Sequence, residues 1–179
     1  MAEAVVSLAS LPVEPKPAPQ ELVRPATIGD ARSIHDIIKH HADHGEMLHR
    51  PLNILFENIR DFQVIAVNGT VVGCVALHVL WEDLAEVRGL AVHPEHQGRG
   101  YGKALVLSTI PEAIRLGIPT LFAWSYRPSF FRQLGFKVTD REHLPPKVWS
   151  ECLRCSSYPT CGETPLIRPT VLDGAGPAR

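Results

Sequence analysis

The segment from Leu84 to Lys103 constrains this chain more than any other. An apolar strand pattern, Leu84 to Val92, runs through His93-Pro94-Glu95-His96 into Gln97-Gly98-Arg99-Gly100-Tyr101-Gly102-Lys103, and a helical pattern follows. A helix that starts on such a turn presents unpaired backbone N–H groups with partial positive charge. Glycines let that backbone come close to a bulky anion, and Arg99 and Lys103 add formal positive charge. The combination reads as a cradle for a phosphate or pyrophosphate. It differs from two familiar phosphate loops. Lys103 is followed by Ala104 rather than Ser or Thr, and the spacing of Gly98, Gly100 and Gly102 departs from the dinucleotide fingerprint. Taken as a glycine cluster alone, the turn also fits a flexible connection ending in a helix cap.

The flanking pattern predicts a mixed α/β order. Glu21 to Arg24 is a short strand ending at Pro25. Thr27 caps a helix with Asp30 in its first turn and Ile28, Ala31, Ile34, Ile37 and Ile38 at helical spacing, and Gly45 stops it. A second helix is expected over Leu52 to Ile59, with Leu55, Phe56 and Ile59 on one face. Phe62 to Val67 and Val71 to Leu80 form a hairpin about Asn68-Gly69, the strongest short hairpin signal. Leu84 to Val92 is the third strand of that set, and Gly89 marks a bulge or close approach within it. A helix from Gly100 to Leu116 should kink or break early at Pro111, which lacks the N–H for the Leu107 carbonyl. Thr120 to Trp124, a short helix Ser129 to Leu134, Phe136 to Val138 and Pro165 to Leu172 complete the order.

Composition narrows the function classes. Lys and Arg number 18 against 19 Asp and Glu, for a net charge of -1. That balance argues against a general nucleic-acid surface while allowing a local basic pocket. No apolar run approaches the length of a membrane helix, so no membrane partner is expected. Four cysteines in 179 residues are few for a disulfide scaffold and fit a reducing, cytoplasmic compartment. Residues 1–20, with Pro12, Pro15, Pro17 and Pro19, read as a disordered tail. Residues 21–172 read as a single folded domain and 173–179 as a flexible end.

Gln97-x-x-Gly100-x-Gly102 resembles the acetyl-coenzyme A signature of the GNAT acetyltransferase superfamily. The approach Leu90 to Pro94 and the segment Phe131-Arg132-Gln133-Leu134-Gly135-Phe136 are similar to that family in the same order, and the likeness spans about Leu22 to Val138. Val72 to Arg88, Arg24-Pro25-Ala26-Thr27, Gly45 to Phe62 and Leu144 to Trp149 resemble, more closely, the acetyltransferase domain of N-acetylglutamate synthases. The likeness is greatest to their short forms, which lack the amino-acid-kinase-like domain that precedes it in the long ones. The resemblance implies an α/β GNAT fold: a mixed, mostly antiparallel sheet with splayed central strands, flanked by helices.

It also implies a chemistry. Acetyl-coenzyme A would be held by Leu90, Ala91 and Val92 and by Gln97, Gly98, Arg99, Gly100, Tyr101, Gly102 and Lys103. Backbone N–H groups near Leu90 would meet the oxyanion, and Val92 would bond the pantetheine through its backbone. Glu86, four positions before Leu90, stands where several members place the catalytic base; a solvent-facing strand residue, or one that pairs with Arg88, is the plainer reading. The family's thiolate-protonating tyrosine falls at Phe131, which has no proton to give, so Tyr126 is the nearest replacement. An acceptor such as L-glutamate needs cations for two carboxylates, and arginine forks suit that task. Arg50, Arg88 and Arg127 are the candidates, while Asp83 stands where some synthases carry a lysine. The expectation is direct acetyl transfer to the α-amine of glutamate, the first step of arginine synthesis. A GNAT enzyme for another amino acid or small amine, and a non-catalytic module sensing acetyl-coenzyme A or arginine, are the alternatives. A small-molecule amino acid is the expected partner, and a homodimer is allowed.

No metal is expected. His40, His41, His44 and His49 read as a polar helix end rich in histidine. Cys152, Cys155 and Cys161, with His143 as fourth ligand, have spacing that a structural zinc accepts, with reduced, partly buried thiols as the plainer reading.

Overall fold

The structure, a computed structural model, describes residues 21–145 and 160–171. The two terminal tails, Cys152, Cys155 and the stretch from Pro146 to Trp149 lie outside the described residues.

Asn68 and Gly69 both take positive φ, 51° and 82°. That is the geometry of a tight hairpin turn whose twist matches its strands. It joins β2 (Phe62–Val67) to β3 (Thr70–Trp81), and a second reversal leads into β4 (Leu84–Val92). β1 (Glu21–Pro25) pairs with β2, and the four strands form an antiparallel meander. β5 (Thr120–Ser125) joins β4 in parallel after a helical crossover, and β7 (Thr164–Pro169) and β6 (Lys137–Val138) close the other side. The order across the sheet is β1-β2-β3-β4-β5-β7-β6.

Helices cover both faces. α1 (Ala31–Asp43) and α2 (Leu52–Glu57) lie on one, where Ile34, Ile38 and Leu55 are fully buried against Val64, Cys74 and Ala76. α3 (Tyr101–Arg115) and α4 (Pro128–Arg132) cover the other, where Leu105 and Val106 pack on Val75, Leu121 and Ala123. Burying such a side chain contributes about 1.5–3 kcal/mol.

α1 begins after a short 3₁₀ turn, Ile28–Asp30. The buried Asp30 carboxylate accepts from the Thr27 N–H at 2.7 Å and from the Thr27 hydroxyl at 2.8 Å. Arg24 grips it as a fork, with Nη1 at 2.7 Å and Nη2 at 2.9 Å. The Arg24 hydrogen bond, chiefly, holds this carboxyl well below the usual carboxylate range.

Three expectations are corrected. α2 ends at Glu57, short of Ile59, because the Asn58 side chain donates to the Ile54 carbonyl at 2.8 Å and a 3₁₀ turn follows. Phe56 is exposed rather than sharing the core face of Leu55 and Ile59. α3 runs through Pro111 without a break. Pro111 and Leu107 are on the exposed side of the helix, where water satisfies the freed carbonyl at little cost.

The bulge at Gly89 is present. Cys74 pairs with Ala91 and Ala76 with Arg88, so Gly89 and Leu90 together face Val75. Gly89 has φ 60°, and a Cβ there would meet the Phe62 ring at 3.6 Å. The extra residue reverses the alternation of β4. Val87 packs toward α3 and Ala91 toward α1, although they are four apart. Glu86 and Arg88 therefore share one face, and Leu90 and Val92 pack on the other.

Candidate active site

The parallel pairing of β4 with β5 covers Leu84–Thr120, Ala85–Leu121 and Glu86–Phe122 and stops there. β4 reaches its bulge at Gly89 just beyond this point, and the two strands part. A cleft of about 800 Å³ opens at the split.

The glycine turn forms one end of it. Gly98 and Gly100 have φ 75° and 83°, which favour glycine, and a Cβ on either would meet nothing within 4 Å. Gly100 caps α3, whose first turn contains Gly102 and Lys103. The backbone N–H groups at this helix start and the open space over the two glycines fit a pyrophosphate. Leu90, Ala91, Val92, Gln97, Gly98, Gly100, Tyr101, Gly102 and Lys103 all line the cleft. Arg99 is not among the lining residues; its Nη2 donates to the Glu95 carbonyl at 3.1 Å. The Tyr101 side chain is buried and donates to Glu21 at 2.7 Å, which ties α3 to β1 and raises the pKa of the phenol. Its contribution to a cradle is therefore its backbone. The Val92 carbonyl accepts from His41 Nε2 at 2.9 Å and from the Gln97 amide at 3.2 Å. Its two lone pairs are thus both used, and a pantetheine that needs this oxygen has to displace one donor.

The sheet face of Glu86 forms the opposite wall. Glu86 lies across from His78 in the β3 register and from Phe122 in the β5 register. Its carboxylate is 3.7 Å from Arg88 Nη1, and the two side chains are only 14% and 10% exposed. Arg50, Arg127 and Tyr126 line the same cleft. Arg127 is 73% exposed and donates to Glu46 at 3.2 Å. The Tyr126 hydroxyl is 3.8 Å from Cys161 Sγ. All the catalytic and acceptor candidates read from sequence are therefore on one cavity.

The cleft also contains residues to which sequence reading gave no role there, among them Cys161 and His41, the latter read as part of a polar helix end but buried in the structure. His41 is buried, with Nδ1 at 2.6 Å from Glu46 Oε2. Glu46 in turn accepts from Arg127, so the turn after α1 is tied to both β4 and the end of β5. The His41 contact holds the Glu46 carboxyl below its ordinary range. His78 is held by Asp61 at 2.6 Å. On the far wall Arg141, Cys161 and Glu163 come together beside Trp124. Burial pushes the Glu163 carboxyl up, against the pull of the Cys161 thiol and the Arg141 charge. The available signal was residue type alone, because the contacts that bring these groups to the cleft, such as His41 to Val92, Arg127 to Glu46 and Arg141 to Cys161, join distant parts of the chain.

Among the described residues no group of three His, Cys, Asp or Glu side chains is placed to hold a metal ion. The His40 and His44 rings lie 4.7 Å apart at a 39° tilt, and His44 Nδ1 meets the His40 carbonyl. His143 lies 3.8 Å from Asp140, and Cys161 is a free thiol that donates to Glu163 at 3.6 Å. No helix among the described residues is long and apolar enough to cross a membrane.

Comparison with known proteins agrees with this geometry. Residues 30–136 match the acetyltransferase (GNAT) family. An uncharacterised N-acetyltransferase of Chlorobaculum tepidum is 34% identical over 152 residues, which are 85% of this chain and 98% of that one. An amino-acid acetyltransferase of Mycobacterium tuberculosis is 34% identical over 141 residues, covering 76% and 79%. Among solved structures, N-acetylglutamate synthase from Neisseria gonorrhoeae, complexed with coenzyme A and N-acetyl-glutamate, superposes with a TM-score of 0.78 at 29% identity. The match covers 88% of this chain and 36% of that larger one.

Proposed function

This chain belongs to the GNAT acetyltransferase family, and from that premise we propose that it transfers the acetyl group of acetyl-coenzyme A to the α-amine of L-glutamate. Such a product suits the opening step of arginine synthesis. The observation that carries the reading is a single cleft with an anion cradle at one end and a largely shielded carboxylate, Glu86, among arginines at the other. Relatives named amino-acid acetyltransferases support the choice of an amino acid as acceptor. The free thiols of Cys74 and Cys161 fit a reducing compartment, and the cytoplasm is the one proposed.

Acetyl-coenzyme A supplies an activated acetyl thioester when bound. The turn from Gln97 to Lys103 holds its pyrophosphate through backbone N–H groups, with Lys103 as added charge. Glu86 takes the proton from the acceptor ammonium, directly or through one water, and frees the lone pair that forms the new N–C bond. Backbone N–H groups at the Gly89–Leu90 bulge face the charge that develops on the carbonyl oxygen. The C–S bond breaks, and the sulfur leaves as thiolate or takes a proton from Tyr126. Arg88 holds the Glu86 carboxylate in place. Arg50 and Arg127 stand at the acceptor mouth for carboxylate recognition.

The test is thiol release from acetyl-coenzyme A with a panel of amino acids. Release with glutamate above all others supports the reading. Release with another amino acid or a small amine moves the assignment within the family, and tight coenzyme binding with no release from any acceptor favours a sensing module.

A further inference from the structure

Arg141 opens a 3₁₀ turn after β6, Arg141–His143, and its side chain crosses to the cleft. Its guanidinium carbon lies 5.0 Å from the centroid of the Trp124 ring. Nη2 donates to the carbonyls of Cys161 at 3.2 Å and Glu163 at 3.4 Å. The guanidinium is thus over an aromatic ring, and one corner is fixed by the segment that leads into β7. Nε and Nη1 make no hydrogen bond within the described residues. The nearby Glu163 carboxyl accepts the Cys161 thiol at 3.6 Å and makes no hydrogen bond to this guanidinium.

The position relative to Glu86 follows from register. Phe122 is opposite Glu86 in the parallel pair, and Trp124 is two residues on, so Trp124 shares the sheet face of Glu86. Arg141 is therefore a cation on the acceptor side of the split. It differs from the other cations there. Arg88 is beside Glu86 at 3.7 Å, and Arg127 is largely exposed and already meets Glu46. A guanidinium held over a ring and pinned at one corner has lost rotamer freedom before any ligand arrives. Both forked pairs of a guanidinium include Nη2, whose two N–H groups are taken here, so Nε and Nη1 each offer a single charge-assisted hydrogen bond to a carboxylate oxygen.

We propose that Arg141 is a specificity-determining residue that binds a carboxylate of the acceptor through the N–H groups its neighbours leave uncommitted. The proposal rests on the reading of the acceptor as an amino acid.

Steady-state kinetics of Arg141→Gln and Arg141→Lys test it, with thermal melts to confirm folding. Each amino acid used by the unmutated protein is compared with its carboxamides; for glutamate these are glutamine and the α-amide. Arg141→Gln should raise KM for the acid by about 10–100-fold, as expected for one lost charge-assisted contact. KM for acetyl-coenzyme A should stay within about threefold, on the same scale of interaction. The preference for the acid over one of its two amides should collapse toward unity, and Arg141→Lys should restore part of it. Unchanged acid-to-amide preferences at both carboxylates overturn the proposal while glutamate acetylation stands. So does a rise in KM that is the same for the acid and both amides, which marks a general distortion of the wall. If the unmutated protein acetylates no carboxylate-bearing amine, the functional reading fails and takes this proposal with it.

Discussion

Arg88 Nη1 lies 3.7 Å from the Glu86 carboxylate, and both side chains are nearly buried on one face of β4. The pair sits just before the bulge that turns the next residues to the other face. In the proposed mechanism Arg88 acts through Glu86 rather than on the acceptor, and a double-mutant cycle separates the two roles. Glu86→Gln should lower kcat by about 10²–10⁴-fold, the range for a general base, with coenzyme affinity nearly intact. Arg88→Ala should lower kcat less, and the double variant should be no slower than Glu86→Gln alone. Losses that multiply, or a rise in KM for the acceptor in Arg88→Ala, would make Arg88 a ligand of the acceptor.

The cradle is tested with an isosteric pair. Gly100 has φ 83° and open space around it, so Asn and Asp both fit there and bear a similar backbone cost. They differ in one negative charge at the start of α3. Gly100→Asp should weaken coenzyme A binding by roughly tenfold or more beyond Gly100→Asn, since like charges repel strongly near a low-dielectric wall. Calorimetry reads the difference directly. Equal affinities would move the pyrophosphate away from this turn.

Asp30 couples the first helix to pH. Its carboxyl is held low in the folded state, mainly by the Arg24 fork. In the unfolded chain it titrates near the ordinary value of about 4. The group therefore stabilises the fold fully above that value, and its contribution is lost as pH falls below it. Asp30→Asn should cost about 1.5–3 kcal/mol at neutral pH, the range for hydrogen bonds to a charged group. The stability gap between wild type and variant should be flat from pH 6 to 8 and shrink below about pH 4. A gap that persists at low pH would mean that packing, not charge, is what Asp30 supplies.

Cys74 is fully buried beneath the bulge, and burial pushes its thiol up to about 12. A reagent that needs the thiolate should modify it only when the sheet opens. Labelling at pH 8 should be far slower than for the half-buried Cys161, and its rate should rise with denaturant in step with unfolding. Rapid labelling of Cys74 in the native protein would show that β3 and β4 separate locally.

Local signals carried much of this architecture. Phe62 to Val67 and Leu84 to Val92 are strands over the predicted bounds, because alternation and bounding turns are local properties. Asn68-Gly69 and Gly89 announced a tight turn and a bulge through their need for positive φ. Of the two outcomes expected at Pro111, the early break does not occur, because the cost of a lost hydrogen bond depends on which side of the helix faces water, and that is a tertiary fact. Phe56 misled for the same reason: helical spacing says which residues share a face, not how wide the covered stripe is. The candidates drawn from the family likeness all reach the cleft except Arg99. The contacts that complete its walls were not legible. His41 meets Val92 across 51 residues, and Arg127 meets Glu46 across 81. Arg141 stood in sequence as one more charged residue in a short turn, and only the sheet order brings it onto Trp124.

The acceptor assignment is tested most directly by competition. Equimolar glutamate and glutamine are offered to the enzyme with limiting acetyl-coenzyme A, and the two N-acetyl products are counted by mass spectrometry. Their ratio equals the ratio of kcat/KM values. Losing one charge-assisted contact of about 1.5–3 kcal/mol corresponds to roughly one to two orders of magnitude, so N-acetylglutamate should dominate by that factor. Equal amounts of the two products would contradict the glutamate assignment.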